Sequence, residues 1–122
     1  MLAGTLIHLI DDDSRFLKGI ERLLNAHELQ VRSFTSAEQF QAEVDPAEVS
    51  CLVLDIHLGG ISGIELLERL HAAQIRMPVI VLTANESDAT RKAAAAAGCM
   101  TYLVKPVSAR LLLDSIRETL AN

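Results

Sequence analysis

Five times along this chain a short aliphatic run is followed by a stretch whose apolar residues return every three or four positions. A compact apolar run rich in branched residues reads as a buried strand. An apolar period near 3.6 reads as a helix with one face on a core. The strand-like runs are Thr5 to Ile10, Leu29 to Phe34, Cys51 to Asp55, Pro78 to Thr83 and Met100 to Val104. Of these, Leu29 to Phe34 alternates apolar and polar side chains, which marks a strand with one wetter face. Strand followed by helix, repeated with short connections, leaves one economical solution. The strands lie parallel and the helices cover both faces of the sheet.

The helical stretches carry their own start and stop signals. Phe16, Leu17, Ile20, Leu23 and Leu24 form a stripe over about Asp13 to Ala26, with Asp13 or Ser14 as the N-cap. Ser36 or Thr35 caps the second helix, with Glu38 near the reciprocal capping position. Phe40 and Val44 are its core side, and Pro46 ends it. Gly59, Gly60 and Gly63 punctuate a loop before the third helix, where Ile64, Leu67 and Leu70 begin a stripe running to about Ala73. The alanine-rich fourth helix, Asp88 to Ala97, stops at Gly98, which suits the position after a helix C-cap. Ser108 caps a last helix bearing Leu112, Ile116 and Leu120.

The chain has 122 residues, the size of a single domain, and half of them are hydrophobic. With three Phe, one Tyr and no Trp the core is expected to be aliphatic, and stacking platforms for single-stranded nucleic acid are lacking. A net charge of -5 without any Lys/Arg run argues against nucleic-acid contact. Cys51 and Cys99 have no metal-site spacing and read as reduced thiols. No apolar stretch approaches the roughly 18 residues of a membrane span, and no leader pattern precedes the first strand. The expectation is one soluble, cytoplasmic domain over residues 1–122.

In parallel α/β sheets, ligands bind beyond the carboxyl ends of the strands, where the strand order reverses. At those ends stand Asp11 and Asp12, Asp55, Thr83 and Lys105. If strands one, three, four and five are neighbours, three carboxylates, a hydroxyl and an amine converge. Carboxylates that close repel, and a hard divalent cation such as Mg²⁺, or Mn²⁺ in its place, relieves the repulsion. A carboxylate can also attack phosphorus, with a cation and an ammonium offsetting the charge of the transferring group. Each residue alone has a plainer explanation: Asp11 to Asp13 as a turn and cap, Asp55 as a strand end, Thr83 as a side-chain turn, Lys105-Pro106 as a loop. Their joint placement at one rim favours a site. His8, His27 and His71 read as structural or surface residues, whereas His57, two residues past Asp55, overlooks that rim.

The order Ile10-Asp11-Asp12-Asp13, Leu54-Asp55 with Gly60 and Gly63 downstream, Thr83-Ala84, and Tyr102-Leu103-Val104-Lys105-Pro106 resembles the receiver domains of two-component response regulators over nearly the whole chain. The resemblance implies a flavodoxin-like (βα)5 fold with strand order 2-1-3-4-5. It implies that Asp55 accepts a phosphoryl group from a histidine kinase or histidine phosphotransfer protein. It further implies Mg²⁺ held by Asp12, by Asp11 mainly through water, by Asp55 and by the backbone carbonyl of His57. Thr83 and Lys105 would contact the phosphoryl group, Tyr102 would change rotamer as Thr83 moves, and the Lys105-Pro106 bond would be cis. The output surface would be helix four, strand five and helix five, with Leu111 to Leu113 as a contact cluster. Beyond self-catalysed phosphotransfer and dephosphorylation, no enzymatic turnover is expected.

One position departs from that family. Gly59 stands where a proline is usual, which frees the backbone and predicts a more mobile loop. Two other functions fit the residues less well. A phosphohydrolase of the haloacid dehalogenase type needs an acid two residues after its nucleophile, where this chain has His57. A flavodoxin-like cofactor binder needs a phosphate loop where this chain has three Asp.

Overall fold

The computed structural model describes residues 5–121. Its elements run β1 (Leu6–Ile10), α1 (Ser14–Ala26), β2 (Gln30–Phe34), α2 (Ala37–Glu43), a 3-10 turn (Pro46–Glu48), β3 (Cys51–Asp55), α3 (Gly63–Ala72), β4 (Val79–Thr83), α4 (Asp88–Ala96), β5 (Thr101–Val104) and α5 (Ala109–Ala121). The five strands are parallel, in the order β2-β1-β3-β4-β5. The expected order is therefore observed, and the break in it falls between β1 and β3.

The caps explain where the helices begin. Asp13 accepts hydrogen bonds from the N–H groups of Arg15 and Phe16, and Ser36, Ser62 and Ser87 cap α2, α3 and α4 in the same way. Each satisfies donors that the first helical turn leaves without a partner. Gly98 follows α4 with φ at +94°, a conformation costly for a residue with a β-carbon. Glu38 departs from its expected place. It stands one position early for a reciprocal cap, and its carboxylate instead accepts from the N–H of Ile61, 3.2 Å away on the loop after β3.

Two apolar clusters sandwich the sheet. Leu52, Leu54 and Val81 face α2, α3 and α4, together with Phe34, Phe40, Leu66, Leu67 and Ala94. Cys51, Val53, Ile80 and Leu82 face α1 and α5, together with Leu17, Leu24, Leu112 and Ile116. Strands β3 and β4 are buried along their whole length, as central strands covered on both faces must be. In α3 the buried stripe is Gly63, Leu66, Leu67 and Leu70, while Ile64, expected to begin it, is only partly covered. His8 is fully buried on β1, stacked with Phe34 and edge-on to Phe40, and neither ring nitrogen has a hydrogen-bond partner among the described residues. Burial, then the charge of Arg32, lowers its pKa, and Glu48 opposes them.

The Leu111 to Leu113 cluster is not a surface cluster. Helix phase turns Leu112 and Leu113 onto the sheet and leaves only Leu111 exposed. Among the described residues, the other large exposed apolar side chains are Met100 and Val104, at the two ends of β5.

Candidate functional site

Strand register assembles the rim. Ile10 pairs with Leu54, Asp55 with Leu82, and Thr83 with Val104, so the residues that follow or end each strand stand side by side. The Lys105 N–H continues the ladder onto the Thr83 carbonyl at 2.7 Å, and the Lys105-Pro106 bond is cis, as the resemblance implied. Side-chain oxygens of Asp11, Asp12 and Asp55 lie within 4.8 Å of one another. Asp11 and Asp55 are buried and Asp12 is exposed.

Lys105 leans into this cluster. Its Nζ donates to Asp11 Oδ2 at 2.6 Å and, more weakly, to Asp55 Oδ2 at 3.4 Å. The ammonium also lies 4.4 Å from the centre of the Phe16 ring, a cation–π contact. Burial pulls the Lys105 pKa down, but the hydrogen bond and charge of Asp11, followed by Asp55, outweigh it, and the net shift is upward. Asp55 also shifts upward, because burial and the charge of Asp11 outweigh the His57 N–H and Lys105. The amine is shared unequally between the two carboxylates and sits closer to Asp11. Asp55 Oδ1 accepts from the N–H of His57 at 2.9 Å, and Asp11 Oδ1 from that of Asp13 at 2.9 Å.

Thr83 is fully buried at the end of β4. Its Oγ1 accepts from the Asn85 N–H at 3.2 Å and pairs with His57 Nε2 at 2.9 Å. The His57 side chain therefore bridges the β3 and β4 ends of the rim. Tyr102 lies one strand away, with its hydroxyl buried and unpartnered among the described residues and its ring beneath the Arg91 guanidinium at 4.7 Å. Glu86 holds that guanidinium by an ion pair.

All the residues read from the sequence as site candidates thus gather at one rim, except Tyr102, which packs beside it under α4. Three contributors were not legible as such. Phe16 read only as helix core, although its position just after the acidic run placed it near the rim. Asn85 contributes through its backbone, which carries no sequence signal. Glu38 reaches the loop after Asp55 from α2, across 23 residues.

The donor set suits a hard divalent cation. It is all oxygen, one carboxylate is open to solvent, and three carboxylates lie close enough to share one ion.

A five-stranded doubly wound parallel sheet in this order, with an acidic cluster and a lysine at its carboxyl rim, defines a flavodoxin-like α/β fold. Within it, the chain belongs to the response regulator receiver domain family, whose model matches residues 7–117. It is 33% identical over 116 residues to the transcriptional regulatory protein FixJ of Azorhizobium caulinodans, covering 95% of this chain and 55% of FixJ. It is 28% identical to the response regulator protein TodT of Pseudomonas putida, covering 96% of this chain and 52% of TodT. The chain thus spans about half the length of these curated relatives. A CheY-like receiver domain from Methanospirillum hungatei superposes with a TM-score of 0.89 at 29% identity, covering 96% of this chain and 94% of that one. Among the described residues, no helix is long and apolar enough to cross a membrane.

Proposed function

We propose that residues 1–122 form a single receiver domain acting as a phosphorylation-controlled switch, with Asp55 as the accepting carboxylate. The observation that carries this reading is the buried Asp55, clustered with Asp11 and Asp12 within 4.8 Å and reached by Lys105. An Asp55 oxygen attacks phosphorus of a phosphohistidine on a histidine kinase or phosphotransfer protein. The P–N bond breaks, its electron pair stays on the imidazole nitrogen, and an acyl phosphate forms. Mg²⁺, or Mn²⁺, when bound by Asp12, Asp55, the His57 carbonyl and, through water, Asp11, supplies positive charge to the phosphoryl oxygens. Lys105 turns from Asp11 toward the phosphoryl group, and the Thr83 hydroxyl donates to one of its oxygens after leaving His57.

The drawing-in of Thr83 vacates space beside Tyr102, whose inward rotation biases a two-state surface over α4, β5 and α5. A partner or output domain reads that surface. The name of FixJ, a transcriptional regulatory protein, is consistent with an output elsewhere in a longer chain. The domain acts in the cytoplasm and turns over no substrate besides its own phosphoryl group.

The test is direct. With Mg²⁺ and acetyl phosphate, the wild type gains one phosphoryl group by intact mass and Asp55→Asn does not. No gain by the wild type, or equal labelling of both, overturns the reading.

A further inference from the structure

The loop that follows Asp55 carries the His57 carbonyl, and its sequence, Leu58-Gly59-Gly60, lacks a residue that fixes its backbone. Its two ends are held. The His57 N–H donates to Asp55, the Gly63 N–H donates to the Ile56 carbonyl at 3.2 Å, and Ser62 caps α3. Leu58 anchors one side chain in the core. Between Leu58 and Ser62, the one side chain among the described residues that bonds the loop backbone from outside is Glu38, through the Ile61 N–H.

Gly60 fits this contact in two ways. It has φ at +70°, and a β-carbon there would overlap the Glu38 carboxylate. The carboxylate therefore occupies the space that the absent side chain leaves. Gly59 is different: its φ is not positive, and a β-carbon there meets nothing within 4 Å. A β-carbon is thus sterically admissible at 59, and the absence of a backbone-restricting residue there leaves the restraint to be supplied from elsewhere.

We propose that Glu38 is a positioning residue for the phosphoacceptor site. Clasping Ile61 across Gly60 holds the loop that presents the His57 carbonyl, in place of the restraint a residue 59 proline would give. This rests on the proposed function for its consequence, and on the Glu38–Gly60–Ile61 geometry for its substance. Glu38 touches neither metal nor phosphoryl group. It acts by lowering the number of loop conformations that must be given up when the site closes on a cation.

The experiment uses the full chain as wild type, Glu38→Gln, Glu38→Ala, Gly59→Pro and the double variant Glu38→Ala/Gly59→Pro. Three quantities are read: amide exchange of Ile61, Mg²⁺ affinity by calorimetry, and the initial rate of labelling by acetyl phosphate. For a solvent-exposed bond to a charged acceptor, Glu38→Ala should speed Ile61 exchange and weaken Mg²⁺ binding by roughly fivefold each, with Glu38→Gln between it and the wild type. Gly59→Pro should restore most of the Mg²⁺ affinity in the Glu38→Ala background and change it little in the wild type. Unchanged Ile61 exchange or Mg²⁺ affinity in Glu38→Ala overturns the proposal. So does an equal effect of Gly59→Pro in both backgrounds, because the two restraints would then be independent. If the wild type takes up no phosphoryl group, the phosphoacceptor reading fails, while Ile61 exchange and Mg²⁺ affinity still decide the clamp.

Discussion

Removing the charge of Asp55 should stabilise the metal-free protein. Asp55 is 5% exposed, and its oxygens lie within 4.8 Å of those of Asp11 and Asp12. Two unit charges at that distance repel by about 3.5 kcal/mol at an effective dielectric of 20, and Lys105 at 3.4 Å returns about 5 kcal/mol. Solvent screens Asp12, and Lys105 divides its attraction with Asp11. Burial then tips the balance against the ionised form, consistent with the upward shift of its pKa. The folded state therefore holds the Asp55 proton more tightly than the unfolded state does. As pH rises from 3.8 through the raised folded value, ionisation removes stability, and above that value the loss is complete. Asp55→Asn escapes this loss and keeps an oxygen to accept the His57 N–H. We expect it to exceed the wild type by about 1–2 kcal/mol at pH 7, or roughly 3–8 °C in Tm, with the difference closing below about pH 4. Urea denaturation of both proteins from pH 3 to 8, in chelator, measures this. A variant less stable at pH 7, or a difference that ignores pH, refutes the electrostatic reasoning.

Three further outcomes follow from the same geometry. Lys105→Met leaves Asp11 and Asp55 without their shared cation and should cost about 2–3 kcal/mol at pH 7, part of it restored by millimolar Mg²⁺; equal stability in denaturation curves argues against the pairing. His57→Ala frees the Thr83 hydroxyl for the phosphoryl group and should lengthen the acyl phosphate half-life by roughly three- to tenfold, and an unchanged decay of phosphorylated mass removes that role. His8 has a folded pKa below 6.5, so the wild type should lose stability as pH falls below about 6.5, where the unfolded chain takes up the proton first. His8→Leu should flatten that window in the same urea series, and a persistent acid slope assigns it to other groups.

The alternation of strand and helix was readable because central strands must be apolar throughout, and β3 and β4 are. The alternation of β2 read as a strand with one wetter face, and the structure leaves its first four residues partly or fully exposed. The strand order needed the motif, since nothing in a run of Val and Ile says which neighbour it pairs with. Asp11, Asp12, Asp55, Thr83 and Lys105 were legible because a charge or hydroxyl ending an apolar run is conspicuous. Contacts that join distant segments were not. Glu38 looked like a cap because Ser36 precedes it, and only the fold brings the loop at Gly60 against it. The phase of α5 was equally hidden, because three consecutive leucines give no sign of which one faces out.

The two faces of the sheet are unequal neighbours of the rim. Tyr102, Ala94 and Ala97 pack with the cluster under α2, α3 and α4, whereas α1 and α5 close over a separate cluster of their own. Both layers are rich in branched aliphatics, but the alanines and the tyrosine ring belong to the first alone. If the rim is modified as proposed, the smaller side chains beneath α4 are where a rearrangement would meet least bulk, while strand pairing keeps the rim residues in register.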